Sequence, residues 1–306
     1  MLRAFFIALS ESRSLRAIAE RSSVGKRMSR RFVAGMNVED AVVACAETNR
    51  AGMSATVDNL GENVTNLEEA RESAALYDEL LDRIASQRLD ANVSVKLTHM
   101  GLDVDESLAD SIVEGLVEHA VRIDSFVRVD MEGSDHTQKT LDLVRRIHRR
   151  PGHGGRVGAV LQAYLHRTEQ DARDLCAEGI RIRLCKGAYK EPASIAFQKK
   201  EDVDANFVQV TKLLLKSGVY HGIATHDPKM IDETIRYARE EKVRADAFEF
   251  QMLHGIRRDL QASLIADGWR LRIYIPFGRE WYPYFMRRLA ERPANVLFIL
   301  RNLFRR

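Results

Sequence analysis

The sequence has little of what several common kinds of site require. Its three cysteines, Cys45, Cys176 and Cys185, form no CxxC pair, so they indicate free thiols in a reducing compartment rather than a disulfide framework. No apolar run approaches the roughly 20 residues of a membrane span. A net charge of +3 over 306 residues is too small to indicate nucleic acid as a partner. Composition therefore favours an ordinary soluble globular protein.

The motifs of metal, nucleophilic and dinucleotide chemistry are also missing. The first predicted strand, SATVDNL, lacks the paired histidines of metal-dependent barrel hydrolases, although His99, His226 and His254 follow other strands and could converge. No GxSxG nucleophile elbow occurs. The glycine-rich run GHGGRVG precedes a strand instead of following one, so we interpret it as a turn. No metal site is predicted.

What the sequence does contain is a regular alternation. Eight short β-branched or apolar runs lie between Ser54 and Ile275, and a segment of helical periodicity follows each of them. Such an alternation predicts βαβ units, and eight units over about 250 residues is the count of a closed (β/α)8 barrel. A doubly wound open sheet is the alternative. We predict a distorted TIM-type α/β barrel over residues 51–306, preceded by an N-terminal helical arm over residues 1–50.

Polar side chains end every predicted strand. In a barrel the carboxyl ends of the strands meet on one face, where active sites form. A single such residue has an ordinary explanation as part of a loop, but a full ring of them predicts a site. The members are Asp58, Lys96, Asp130, Gln162, Arg183, Thr225, Gln251 and Tyr274.

The last unit carries two adjacent cations. Its strand is predicted over Arg272–Ile275, with a loop at Pro276 and Gly278 and a helix entered near Pro283. On that helix Tyr284, Arg287, Arg288 and Glu291 share one face. Two neighbouring guanidinium groups can hold one small carboxylate from two directions. A solvated face with Arg–Glu pairs is the alternative interpretation.

The fifth predicted strand points to a cofactor with a phosphate chain. Lys186, Gly187 and Ala188 follow it, offering a cation and a backbone that an anion can approach closely. Gln162 can exchange hydrogen bonds with a heterocycle edge, and Arg183 supplies a permanent charge that would stabilise a reduced flavin.

Taken in order, these motifs resemble those of the flavin-dependent proline dehydrogenases. The resemblance covers Ser54 to Pro293 and rests on Lys96, Asp130, Gln162, RLCKGAY, Thr225-His226, FEFQMLHG and RIY…YxxRRxxE. It implies the monofunctional bacterial type, with FAD at the barrel mouth, oxidation of L-proline to Δ1-pyrroline-5-carboxylate, and a quinone as electron acceptor. It also implies a cytoplasmic enzyme that works beside a membrane.

The resemblance further implies roles for individual residues. Asp130 and Arg183 would serve the catalytic centre. Substrate contacts would come from Lys96, Leu184, Tyr274, Tyr284, Arg287, Arg288 and Glu291. Contacts to FAD would come from Met131, Gln162, Arg183, Lys186, Gly187, Ala188, Thr225 and His226. One departure is Lys190, which stands where the family often has an aromatic residue.

Two further alternatives stay open at this point. A non-redox barrel, either a lyase or a carboxylate-binding scaffold, would use the same strand ends without a flavin. The basic arm, with Lys26, Arg27, Arg30 and Arg31, and the C-terminal segment Phe298–Arg306 could contact an anionic membrane peripherally. Ordinary surface charge and a helix that closes the barrel would explain the same two segments.

Overall fold

Eight parallel strands close into a barrel in which each strand pairs with the next and β8 pairs with β1. The computed structural model describes residues 30–291, with side chains as far as Met286. The strands are β1 (Ser54–Asn59), β2 (Ala91–Val95), β3 (Val127–Val129), β4 (Val157–Gln162), β5 (Arg181–Cys185), β6 (His221–Ala224), β7 (Phe248–Leu253) and β8 (Leu271–Phe277). The predicted (β/α)8 barrel is confirmed, and the open sheet is excluded.

A helix precedes the barrel and one follows every strand. The helices are α1 (Val38–Arg50), α2 (Leu67–Ser86), α3 (Glu106–Arg122), α4 (Ser134–His148), α5 (Thr168–Ala177), α6 (Lys200–Lys216), α7 (Pro228–Glu240), α8 (Arg258–Ala266) and α9 (Trp281–Glu291). Because strands and helices alternate, the helices form an outer layer around the barrel.

Local side chains fix where several helices begin. Asn37 and Asn66 each accept a hydrogen bond from the backbone N–H three residues later, which caps α1 and α2. Asp105 caps α3 in the same way, and Asp227 caps α7, whose first residue is Pro228. The last of these caps matters for the site, since Asp227 also stands at the end of β6.

The end of the predicted N-terminal arm belongs to the main core. Helix α1 contacts β1, β8 and α2, and it buries Val42 and Cys45 in the same apolar cluster as the barrel strands. Before α1, Phe32 and Val33 pack in a second cluster with Trp281 and Phe285 of α9. A domain boundary at residue 50 stays a prediction, and residues 1–29 lie outside the described part of the chain.

Several predicted strand boundaries were wrong by a few residues, and two of them bear on the site. The apolar run Phe126–Met131 predicted a strand through Met131, but β3 ends at Val129, so Asp130 and Met131 lie in the loop that follows it. Strand β8 continues through Pro276, which was expected in a loop. A proline is tolerated there because the pairing of β8 with β7 ends at Tyr274, while pairing with β1 continues to Phe277.

Candidate active site

A cavity of about 480 Å³ opens at the carboxyl ends of the strands. Its lining comes from seven of the eight strands or the residues directly after them. The lining residues are Lys96, Asp130, Met131, Val160, Gln162, Arg183, Cys185, Lys186, Gly187, Ala188, Tyr189, Ala224, Thr225, His226, Asp227, Gln251, Met252, Leu253 and Tyr274. The predicted convergence of strand ends therefore produces one concave site of the size that small ligands and cofactors occupy.

A buried ion pair forms the floor of this cavity. Arg183 Nη1 donates to Asp130 Oδ1 at 2.7 Å, and Ser94 Oγ donates to the same oxygen at 2.6 Å. The second oxygen, Asp130 Oδ2, accepts from the Tyr274 hydroxyl at 2.9 Å. The Arg183 guanidinium also lies over the Tyr274 ring, 5.1 Å from its centroid. These contacts hold all three predicted residues in fixed positions.

Lys96 has a carboxylate partner that the sequence did not assign to it. Its Nζ contacts Asp58 Oδ1 at 2.9 Å and Oδ2 at 3.1 Å. Burial lowers the pKa of Lys96, but the charges of Asp58 and Asp130 outweigh this effect and leave the pKa above its ordinary value. The ammonium therefore stays charged. Burial raises the pKa of Asp58, an effect that the neighbouring Lys96 charge opposes.

Lys186 is likewise held between two carboxylates. Its Nζ donates to Asp204 Oδ1 at 2.5 Å and to Asp227 Oδ2 at 2.8 Å. Burial raises the pKa of Asp204, and hydrogen bonds from Lys186 and Lys200 reverse this, so that the pKa falls below its usual value. The Asp204 carboxyl group is therefore ionised at neutral pH, beside the Lys186 side chain.

The backbone after β5 requires glycine at one position. Gly187 has φ of +108°, and a Cβ there would come within 2.1 Å of the Tyr164 ring. No other residue fits both the dihedral angle and the space. The backbone of Gly187 and Ala188 therefore lines the cavity with no side chain larger than a methyl group to cover it.

Gln162 and His226 both line the cavity and each makes one hydrogen bond to the backbone. Gln162 Nε2 donates to the carbonyl oxygen of Glu132 at 2.9 Å. His226 Nε2 accepts from the backbone N–H of Leu253 at 2.8 Å, so the proton of the neutral ring lies on Nδ1. Met131 and Thr225, for which contacts to FAD are predicted, also line the cavity.

Two predicted substrate contacts do not line the cavity. Leu184 points out of the barrel into the main core and is fully buried there, because alternation along β5 turns Arg183 and Cys185 inward instead. Tyr284 packs in the second apolar cluster with Phe32 and Trp281. The side chains of Arg287, Arg288 and Glu291 lie outside the described residues, although α9 itself reaches Glu291.

Several residues of the site had no role assigned from the sequence. Asp58, Tyr189 and Asp227 were visible as strand-end residues or within the KGAY motif, but their partners were not. Asp204 lies on α6, far along the chain from any strand end, and its position gave no signal. Its role beside Lys186 depends on how α6 packs.

The histidines do not assemble a metal site within residues 30–291. No group of three or more His, Cys, Asp or Glu side chains in that range is arranged to bind a metal ion. His99 bonds instead to Ser73, with 2.7 Å between Nε2 and Oγ.

Comparison with known protein families gives the same picture as the geometry. The family model described as proline dehydrogenase matches residues 41–301. This chain belongs to the proline dehydrogenase family. Because the match spans nearly the whole barrel, the non-redox alternatives are set aside.

Individual relatives in the proline dehydrogenase family cover most or nearly all of the chain. The chain is 41% identical over 302 residues to proline dehydrogenase 2 of Bacillus subtilis strain 168, with 98% of both chains covered. It is 37% identical to proline dehydrogenase of Deinococcus radiodurans, over 91% of this chain and 90% of that protein. The fold resembles proline utilization A from Bdellovibrio bacteriovorus inactivated by N-propargylglycine, with a TM-score of 0.82, 24% identity and coverage of 87% of this chain and 33% of that one.

Proposed function

We propose that this protein oxidises L-proline to Δ1-pyrroline-5-carboxylate, with FAD as the hydride acceptor and a quinone as the final electron acceptor. The proposal rests on one observation: Lys96, Asp130, Arg183 and Tyr274 meet in a single cavity at the barrel mouth. Family membership supports the oxidation of proline. The geometry supports this cavity as the place where L-proline and FAD would bind.

The substrate carboxylate would be held by Lys96 with Arg287 and Arg288. The Lys96 ammonium has three N–H donors, and its contacts to Asp58 occupy at most two of them. A fixed cation that keeps one donor unused among the described side chains suits the anionic end of an amino acid. The Tyr274 ring would then lie against the apolar part of the substrate.

The residues present fit a flavin dinucleotide. The cavity volume of about 480 Å³ suits part of such a molecule. The bare backbone at Gly187 and Ala188 offers close approach to a phosphate chain, and Lys186 supplies a nearby cation. Gln162 keeps its side-chain oxygen available, since within residues 30–291 only its Nε2 has a hydrogen-bond partner. Met131, Thr225 and His226 would complete the contacts.

Bound FAD would supply the two-electron acceptor of the reaction. Lys96 and the arginines of α9 would bind and orient the substrate, so that the Cδ–H bond that reacts keeps one orientation relative to these residues. Arg183 would stabilise negative charge that develops beside it during reduction, and Asp130 would keep Arg183 in place. Tyr274 would exclude water from the substrate side.

The quinone acceptor and a peripheral membrane contact are also proposals. Within residues 30–291 no helix combines the length and the apolar character that crossing a bilayer demands. A cytoplasmic enzyme that touches the inner face of the membrane through the basic arm or the C-terminal segment would meet a membrane quinone there. Liposome co-sedimentation at low salt tests this contact, and failure to co-sediment with anionic vesicles would contradict it.

The flavin spectrum tests the central proposal. Purified protein should be yellow, and adding L-proline without air should bleach the visible flavin bands. Protein that stays colourless after incubation with FAD, or a bound flavin that proline does not bleach, would overturn the assignment. D-proline serves as the control. A site that holds the carboxylate of L-proline so that a Cδ–H bond faces the flavin should bleach much more slowly with the opposite configuration at Cα, because the same carboxylate contacts would then turn the ring away.

A further inference from the structure

A chain of buried hydrogen bonds runs from Arg183 through Gln251, which itself lines the cavity, to Glu249, two residues nearer the start of β7. Gln251 of β7 lies between Arg183 and Glu249: its Oε1 accepts from Arg183 Nε at 2.5 Å, and its Nε2 donates to Glu249 Oε1 at 2.6 Å. All three side chains are at least 94% buried. A barrel interior is usually filled by branched apolar residues, so these groups need a specific reason to be there.

The two partners leave the carboxamide of Gln251 a single orientation. An arginine only donates, so it must face the amide oxygen. A carboxylate only accepts, so it must face the amide nitrogen. Gln251 is thereby fixed at both ends, unlike a surface glutamine that is free to flip.

Glu249 is itself anchored from two further sides. It accepts from Arg272 Nε at 2.7 Å and from the Tyr220 hydroxyl at 2.9 Å. Burial raises the pKa of Glu249, and the charge of Arg272 with the three hydrogen bonds more than reverses this, so that the pKa lies below its ordinary value. The carboxyl group is therefore ionised and acts as an acceptor for Gln251.

The neighbouring strand leaves room for this arrangement. A Cβ on Gly222 of β6 would lie 2.3 Å from Gln251 Nε2. Any side chain at residue 222 would displace the carboxamide. The glycine at residue 222 is therefore a second, independent observation that the fold leaves space for the Gln251 carboxamide at this position.

We propose that Gln251 is a positioning residue for the reaction. It links Arg183 to Glu249, which other side chains hold in place, and it thereby fixes the orientation of the Arg183 guanidinium in the cavity. This inference rests on the proposed function. With Nε held by Gln251 and Nη1 held by Ser94 and Asp130, only Nη2 of Arg183 lacks a partner within residues 30–291. That nitrogen is the one available to a ligand.

The charged surroundings define what a substitution will do. The groups that face Glu249 and Gln251 are Arg128 of β3, Arg181 and Arg183 of β5, Tyr220 before β6, and Arg270 and Arg272 at the start of β8. Replacing Gln251 by leucine removes both hydrogen bonds. Replacing it by glutamate places two carboxyl groups in contact, and such a pair shares one proton.

The test compares Gln251→Leu, Gln251→Glu and the exchange variant Glu249→Gln/Gln251→Glu. Gln251→Leu should lower kcat/KM for proline by about 10- to 100-fold, because a small misplacement of an active-site group has effects of that size. Gln251→Glu should be active at low pH, where a protonated carboxyl replaces the amide as donor and acceptor. Its activity should fall as pH rises. The exchange variant again pairs one amide with one carboxylate, the carboxylate now facing Arg183 directly, so that fall should disappear.

The matched control is Gln261→Leu on α8, a glutamine of similar burial that bonds to the carbonyl oxygen of Ile256 at 2.8 Å. This variant should keep the wild-type kcat/KM and the wild-type dependence of activity on pH. A wild-type pH profile for Gln251→Glu, or an exchange variant no better than Gln251→Glu, would overturn the positioning role.

A second readout does not need catalysis. The midpoint of thermal unfolding of Gln251→Glu should fall with rising pH relative to the wild type, and the exchange variant should remove the difference. If wild-type protein fails to bind FAD or oxidise proline, the proposed function fails, and the unfolding profiles still decide whether Gln251 bridges the two groups. Identical unfolding profiles for all three proteins would reject the bridge.

Discussion

Arg183 Nη1 and Asp130 Oδ1 are 2.7 Å apart, although Arg183 lies on β5 and Asp130 directly follows β3, and these two strands are not neighbours in the barrel. The pair spans the width of β4, and Asp130 also accepts from Tyr274 of β8. One carboxylate therefore ties three parts of the barrel together directly beneath the cavity. Because both charges are largely removed from water, each depends strongly on the other.

Asp130→Asn should therefore reduce both stability and activity. Breaking a buried pair leaves an uncompensated cation, which costs roughly 3–5 kcal/mol in the free energy of unfolding. Chemical denaturation measures this loss, and steady-state kinetics should show at least a tenfold lower kcat/KM for proline, about 1.4 kcal/mol of transition-state stabilisation. The matched control, Glu240→Gln, removes the exposed partner of Arg236 and should leave both quantities nearly unchanged. Wild-type stability in Asp130→Asn would show that the pair contributes nothing.

Arg288→Ala should raise the KM for proline while leaving FAD bound. A bidentate guanidinium–carboxylate contact contributes equally to the bound substrate and the transition state, so its loss appears mainly in KM. An increase of about tenfold or more is expected for the loss of one charge-assisted contact. An unchanged KM, with flavin content measured on the same sample, would remove Arg288 from the carboxylate site.

Tyr274→Ser should admit ring-hydroxylated proline. The tyrosine ring is fixed at the cavity by its hydroxyl bond to Asp130 and by Arg183 above it. Removing the ring opens space, so the ratio of kcat/KM for 4-hydroxyproline to that for proline should rise by about tenfold. Tyr274→Phe keeps the ring but loses the hydrogen bond, and its ratio should match that of the wild type. Equal ratios in the serine and phenylalanine variants would show that the ring does not select the substrate.

Stability should fall on acidification because of His221. Burial, together with the charges of Arg128 and Arg181, lowers its pKa from 6.5 to about 3. Between these values the unfolded chain binds a proton that the folded chain does not, so the free energy of unfolding decreases as pH falls below 6.5, by about 1.4 kcal/mol per pH unit.

His221→Asn should flatten this dependence. The asparagine oxygen can replace Nδ1 as acceptor for the Ile182 N–H, which His221 accepts at 3.0 Å, and it does not titrate. Urea unfolding between pH 4.5 and 7 measures the slope. Burial and the charge of Lys96 lower the pKa of His99 to about 4. His99 should therefore account for part of the pH dependence that remains in His221→Asn. The same slope in both proteins would contradict the assignment to His221.

Gly187→Ala should weaken cofactor binding more than a comparable change elsewhere. The positive φ alone costs an alanine roughly 1–3 kcal/mol, and the contact with Tyr164 adds displacement of the loop. Gly152→Ala is the control, because Gly152 has φ of +80° but nothing within 4 Å of a Cβ. Flavin titration of both variants separates the two effects. Equal dissociation constants would mean that the loop at Gly187 does not touch the cofactor.

Much of this architecture could be predicted because strands and helices leave local signals. Eight apolar runs, each followed by helical periodicity, are a property of short segments, and the polar residues at their ends were visible by position alone. The errors occurred where pairing overrides propensity. Pro276 continues β8 because only one neighbouring strand still requires hydrogen bonds there, and a single strand cannot show how far its neighbours extend.

The sequence by itself determined the barrel, the residues at its mouth and the family to which the chain belongs. Only the tertiary structure decided which of those residues become partners: Lys96 with Asp58, Lys186 with Asp204 on α6, and Gln251 between Arg183 and Glu249. The tertiary structure also places Leu184 outside the barrel, in the main core, whereas the sequence analysis predicted a substrate contact for it. The physical reason is that hydrogen bonds and ion pairs depend on distances of a few ångströms between residues far apart in the chain. Strand tilt, register and helix packing set those distances, and no local pattern encodes them.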